Sequence, residues 1–170
     1  MALSEMGIKF IKSYEGKVMR NGLHVMYDDH TGKPISRYED AKGFPTIGYG
    51  HLITESEKEK NLYLNGITEE QAEALFKQKI VNFERNILRV VTVELTQHEF
   101  DALVSFSFNV GIGNFNSSTL LKLLNQNKKK EAAEQFTRWV RSKGVILPGL
   151  VRRREAERDL FLHGVYIFLQ

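Results

Sequence analysis

Carboxyl groups and a hydroxyl near the start of the chain have the types and spacing of a hydrolytic site. Glu15 stands before Gly16, at the end of an amphipathic stretch. Two copies of one short pattern follow, Tyr27-Asp28-Asp29-His30-Thr31-Gly32 and Tyr38-Glu39-Asp40-Ala41-Lys42-Gly43, and then Thr46-Ile47-Gly48-Tyr49-Gly50-His51. One carboxylic acid can protonate a leaving group while a carboxylate orients and activates water. Glu15 suits the first role, because the negative end of a helix macrodipole raises the cost of a carboxylate and favours the protonated acid. Asp29 and Asp40 occupy equivalent places in the two patterns, and either could be the second carboxyl. Thr46 supplies the hydroxyl.

The elements that must position these groups follow from pattern. Ser4 can cap a first helix with Glu5 in its first turn, an apolar stripe through Ile8, Ile11 and Tyr14, and Gly16 as a left-handed stop. Leu23, Val25 and Tyr27 alternate with His24, Met26 and Asp28, which predicts a strand over residues 23–28. Turn signals at Thr31-Gly32-Lys33-Pro34 and Lys42-Gly43 separate it from a second strand over residues 44–49, where Gly48 and Gly50 permit close approach. From residue 54 on the pattern is helical. Thr68 and Thr96 open capping boxes closed by Gln71 and Glu99. Ser117 or Ser118 starts a further helix, residues 131–141 carry another, and Pro148-Gly149 breaks the pattern before a last one. These readings predict an α+β fold, mostly helical, with a small antiparallel sheet over about residues 17–66 and a helical remainder.

Composition narrows the chemistry. A chain of 170 residues can bury a sizeable core without disulfides. It has no cysteine, which excludes disulfides, thiolate metal sites and cysteine nucleophiles. The 5 histidines show no metal-binding spacing, so no metal is expected. A net charge of +3 suits an anionic polymer and is too small to indicate nucleic acid. The first residues lack the apolar run of a secretory signal, and no later stretch reaches membrane-spanning length. That predicts a protein made and held in the cytoplasm. Lys128-Lys129-Lys130 and Arg152-Arg153-Arg154 read as solvated helix surface or as contacts for an anionic polymer. One of those arginines could reach Glu15 and tune it, but at least two of the three are expected on a solvated face. His51 by itself reads as structural, and Phe108, on periodicity alone, as core.

Taken together the motifs are more specific than their parts. Glu15-Gly16, the Tyr-x-Asp-x-x-Gly pattern and Thr46-Ile47-Gly48-Tyr49-Gly50-His51 resemble the active-site segment of phage-type lysozymes, the endolysins. The stretch Leu95-Thr96-Gln97-His98-Glu99-Phe100-Asp101 onward resembles that family's central helix, with Phe108-Asn109-Val110-Gly111 after it. Leu147-Pro148-Gly149-Leu150-Val151-Arg152-Arg153-Arg154-Glu155-Ala156-Glu157 resembles its closing helix. The resemblance covers nearly the whole chain. It implies a single lysozyme-like catalytic domain over residues 1–170, with a sheet-bearing lobe, a larger helical lobe and the substrate cleft between them. It implies a muramidase that hydrolyses the β-1,4 bond between N-acetylmuramic acid and N-acetylglucosamine in peptidoglycan. Glu15 would protonate the leaving oxygen, an aspartate would activate water, and Thr46 would help to hold it. His51, Phe108 and Asn109 would bind substrate. The family is similar to inverting glycosidases, whose carboxyls stand far enough apart to admit water. No cofactor or metal is implied. The partner would be peptidoglycan glycan strands rather than nucleic acid, and the protein would work as a monomer. It would wait in the host cytoplasm until a separate holin opened the membrane, and then act on the wall in the periplasm.

The chain departs from the compact family pattern in the extra residues between Glu15 and Thr46. Asp40 keeps the tight link to the strand bearing Thr46. Asp29 ends the first strand and lies nearer the acid in sequence, and a longer hairpin tip beyond it costs little entropy. Asp29 is therefore preferred, with Asp40 as the alternative. Two rival functions remain. A lytic transglycosylase would use a glutamate and no water-activating aspartate. A non-catalytic wall-binding module on the same fold would need neither Glu15 nor Thr46.

Overall fold

Eight helices and seven short strands alternate unevenly along the computed structural model, which describes residues 1–170. In chain order they are α1 (Glu5–Tyr14), β1 (Met19–Arg20), β2 (Leu23–His24), β3 (Tyr27–Asp28), β4 (Pro45–Ile47), β5 (His51–Leu52), α2 (Glu55–Glu59) and α3 (Glu69–Val90). Then come α4 (Gln97–Val110), α5 (Ile112–Asn116), α6 (Thr119–Asn125), α7 (Lys129–Glu134), β6 (Arg141–Ser142), β7 (Val145–Ile146) and α8 (Pro148–His163). The chain forms two compact units, Glu15–Lys79 and Met1–Tyr14 with Ile80–Gln170, so the division falls inside α3. The fold is α+β and mostly helical, as the patterning predicts. No helix is long and apolar enough to cross a membrane.

The first of these units, residues 15–79, carries the sheets. β1 pairs with β2, and β3, β4 and β5 form a second antiparallel sheet in that order, with Tyr27 opposite Thr46 and Ile47 opposite His51. The expected continuous strand over residues 23–28 is therefore two strands in different sheets. Burial alternates only as far as Met26, and the pairing partner changes at the middle: Val25 N–H donates to Val18 and Met26 C=O accepts from Ile35. The strand expected over 44–49 stops at Ile47, because Gly48 turns to φ +64°, where a Cβ would sit 3.3 Å from Ala72. Met26, Ile47, Ile53, Ile67, Ala72 and Phe76 fill a small core.

Polar clusters supplement that core. Nε2 of the buried His24 lies 2.9 Å from Glu69, which also accepts from the Tyr49 hydroxyl at 2.5 Å. Glu57 repeats the motif, with His51 Nε2 at 2.9 Å and the Tyr63 hydroxyl donating to it. Glu57 also closes a capping box with Thr54 at the start of α2.

The other unit is helical. Ser4 caps α1, its hydroxyl accepting from Gly7 N–H at 2.9 Å. The expected left-handed stop at Gly16 is not used: α1 ends at Tyr14, and Gly16 is absent from the positive-φ residues. Both expected capping boxes form, Thr68 with Gln71 and Thr96 with Glu99. Ser118, rather than Ser117, caps α6. The helix expected over residues 131–141 ends at Glu134 and passes through a 3-10 turn, Phe136–Arg138, into the β6–β7 hairpin. That hairpin was not foreseen; its turn places Lys143 at φ 51° and Gly144 at φ 81°. Pro148 begins α8 rather than preceding it, since the first helical position needs no N–H donor. The core is aromatic, with Phe10, Phe100, Phe106, Phe115, Phe136 and Phe161 buried, and every α4 residue from Glu99 to Phe108 inside it.

Candidate active site

Tyr27 marks the site. It pairs with Thr46 across β3 and β4, and its hydroxyl donates to Gly16 C=O at 3.4 Å. Burial pushes its phenol up to about 12, the charges of Glu15 and Asp29 push the same way, and a hydrogen bond from the Gly50 backbone opposes them. The Gly50 backbone thus bonds this hydroxyl, and Glu15 and Asp29 lie within electrostatic reach of it. Glu15 is the first residue after α1, and its Oε1 lies 3.7 Å from where a Cβ on Gly50 would sit. A Cβ there would meet that carboxyl at ordinary contact distance, so it is the φ of +81° that favours glycine at position 50.

Asp29 and Thr46 converge on a single backbone unit, that of Phe44. Asp29 Oδ1 accepts from Phe44 N–H at 2.7 Å, and Asp29 N–H donates to Phe44 C=O at 3.2 Å. The Thr46 hydroxyl donates to the same carbonyl at 2.9 Å. Tyr27 and Asp28 are neighbours in β3, so their side chains leave it on opposite faces.

Asp28 is the residue that sequence reasoning missed. It is buried, and its carboxylate accepts from His30 N–H and Gly43 N–H through Oδ1, each at 3.0 Å. Oδ2 accepts from Lys42 N–H at 3.0 Å and from the Thr31 hydroxyl at 3.2 Å. Burial alone would raise its pKa; the backbone donors of His30, Gly43 and Lys42, with Thr31, outweigh burial and hold it at about 2. Half of this arrangement carries a sequence signal, since an aspartate commonly bonds the backbone two residues on. The other half lies 14 and 15 residues away and carries none.

The remaining candidates lie elsewhere. Asp40 sits in an exposed 3-10 turn and pairs with Arg37 at 3.2 Å. His51 belongs to the Glu57 cluster, with its ring edge-on to Tyr63. Phe108 is buried against Phe83, with ring centroids 5.2 Å apart. Asn109 is exposed, and its carbonyl accepts from Arg154 at 2.7 Å. The arginine run corrects the expectation of a solvated face: only Arg152 is exposed, while Arg153 and Arg154 are buried. Both contact Glu157, at 3.2 and 3.0 Å, and Arg153 also reaches the Ser105 carbonyl. Two guanidiniums face one carboxylate, so Glu157 offsets part of their charge, while the Ser105 and Asn109 oxygens accept hydrogen bonds from them. No group of three His, Asp or Glu side chains is arranged to hold a metal ion.

Comparison with known proteins gives the family. Residues 28–157 match the family model described as phage lysozyme, and the chain belongs to that family. It is 38% identical over 164 residues to an endolysin of Bacillus phage B103, covering 96% of this chain and 55% of that protein. The chain spans about half the length of the Bacillus phage relatives it matches. Among solved structures it is similar to the endolysin of Escherichia coli O157:H7 phage FAHEc1, with a TM-score of 0.78 and 34% identity over 98% of this chain and 97% of that one. It is also similar to the muramidase domain of SpmX from Asticaccaulis excentricus, with a TM-score of 0.74 and 31% identity over 95% of this chain and 98% of that one.

Proposed function

We propose that this chain is the catalytic part of a peptidoglycan hydrolase, an N-acetylmuramidase cleaving the β-1,4 bond between N-acetylmuramic acid and N-acetylglucosamine during lysis by a phage or prophage. Glu15 protonates the glycosidic oxygen. Asp29, with Thr46, orients a water and takes its proton as the water attacks the opposite face of the sugar, which inverts the anomeric carbon. Asn109 offers its amide N–H groups to a sugar, since its carbonyl is taken by Arg154. Phe108 supports it, and His51 contributes beside Gly50. The substrate is the glycan strand, nucleic acid is not a partner, and the chemistry uses no cofactor or metal. The protein acts as a monomer, held in the host cytoplasm until a holin gives it access to the wall.

One observation carries this reading. Asp29 and Thr46 share the Phe44 backbone as an anchor, while Asp29 and Glu15 both act on the Tyr27 hydroxyl. Asp40 instead pairs with Arg37. Asp29→Asn is expected to lose most hydrolysis of purified peptidoglycan and Asp40→Asn to keep most of it. The reverse pattern, with both variants folded, would transfer the role to Asp40. Product analysis separates the rivals: new reducing ends support hydrolysis, 1,6-anhydro ends indicate a transglycosylase, and no product from the wild type indicates a binding module.

A further inference from the structure

The amides of Lys42, Gly43 and Phe44 are consecutive, and each is bound by a carboxylate: the first two by Asp28 and the third by Asp29. Asp28 also anchors the outgoing arm through His30 and Thr31. Its own backbone closes the turn between them, with Gly32 N–H donating to Asp28 C=O at 2.7 Å and Asp28 N–H donating to Lys33 C=O at 2.9 Å. One side chain therefore joins the point where the chain leaves β3 to the point where it returns towards β4. We infer that Asp28 is a positioning residue for hydrolysis: it fixes the returning arm at Phe44, and through Phe44 it fixes Asp29 and Thr46. This rests on the proposed roles of Asp29 and Thr46.

Two further facts make the link mechanical rather than general. First, the returning arm has little freedom on the Asp29 side. A Cβ on Gly43 would come 2.3 Å from Asp29 Oδ1 and equally near the His30 ring, so the arm already lies as close as glycine allows. Second, few other contacts hold the arm at this point. His30, Thr31 and Phe44 are exposed, with Phe44 at 62%, and Gly43 is only half-buried, so burial does little to fix them. Without Asp28 the freed amides can bond to water, and the loop loosens without unfolding the unit. A water-activating carboxylate tolerates little displacement, since a misplacement of about 1 Å can cost 10²-fold in rate.

Three variants test the inference. Asp28→Ala should lower kcat by about 10- to 100-fold with little change in KM. Asp28→Asn should recover part of the loss: its carbonyl can still accept from His30 and Gly43, while its amide faces the Lys42 N–H donor to donor. In both, hydrogen exchange at Lys42, Gly43 and Phe44 should quicken while the helical unit keeps its protection. Full kcat alongside quickened exchange overturns the positioning role, as does unchanged exchange in Asp28→Ala. Equal losses in Ala and Asn, with KM rising in step, also overturn it. Asp29→Asn is the separate control: if that variant hydrolyses normally, the assignment of Asp29 fails, and the exchange data still report whether Asp28 holds the arm.

Discussion

The two units of this chain are held together by different physics. In the helical unit a buried ring stack does most of the work: Phe106 alone meets Phe115, Phe136 and Trp139 at centroid distances of 6.2, 5.2 and 5.8 Å. Even its ionic groups are interior, with Arg153, Arg154 and Glu157 answering one another. In the sheet unit, strands of two or three residues cannot build a continuous layer. Carboxylates there collect donors instead: Asp28 and Asp29 on one loop, Glu57 and Glu69 each between a histidine and a tyrosine. A buried ring stack resists local change, whereas point contacts set local geometry. The residues proposed for hydrolysis stand among the point contacts. Damage to the helical unit should therefore register mainly as lost stability, and damage around the site in the sheet unit mainly as lost rate.

The sharpest test of that contrast is Glu15→Gln. The substitution keeps shape and removes the transferable proton, so hydrolysis should fall by about 10²–10⁴-fold with the melting temperature unmoved. Wild-type clearing by a folded Glu15→Gln protein would remove the acid from the scheme. The converse is Phe106→Ala in the helical unit, which should cost about 3–5 kcal/mol in denaturant unfolding. The rate per folded molecule should stay the same, and a selective loss of rate would blur the division. Gly43→Ala comes next. Its Cβ must displace Asp29 or His30, so kcat should fall by about 10- to 100-fold with little loss of stability. A large stability loss with normal kcat would place Gly43 with the packing residues instead.

The smallest effect expected is a pH dependence of stability. Burial would raise the Glu57 pKa, but hydrogen bonds from Thr54 N–H, Tyr63 and His51 outweigh it and bring it from 4.5 to about 2. A depressed carboxyl stabilises the fold above its unfolded pKa and loses that contribution as pH falls through its folded one. The sheet unit should therefore lose stability from about pH 4.5 down to about 2, and Glu57→Gln should flatten that slope and lower stability at neutral pH. Parallel melting-temperature profiles for the two proteins across this window would count against the Glu57 cluster as a source of acid sensitivity.

Legibility in the sequence follows the range of the interaction. Ser4, Thr68, Thr96 and Ser118 declare their caps because donor and acceptor lie within three residues. Fold class is equally readable, since alternation and helical stripes are local patterns. The break in the strand over residues 23–28 is not, because it depends on Val18 and Ile35 as partners rather than on the alternating side chains. The burial of Arg153 and Arg154 is hidden for a related reason: a basic run reads as solvated until Glu157 and α4 are seen to surround it. Within the site, Glu15, Asp29 and Thr46 stand out by type and spacing. Asp28 looks like filler in a turn until residues 42 and 43 return to meet it.

The bracket formed by Asp28 also makes the segment beyond it modular. Residues 36–41 are mostly exposed and lie outside the joined ends of the loop. Evolution or an engineer can lengthen or recode that stretch, even splice in a short wall-targeting peptide, while the hydrolytic residues keep their register.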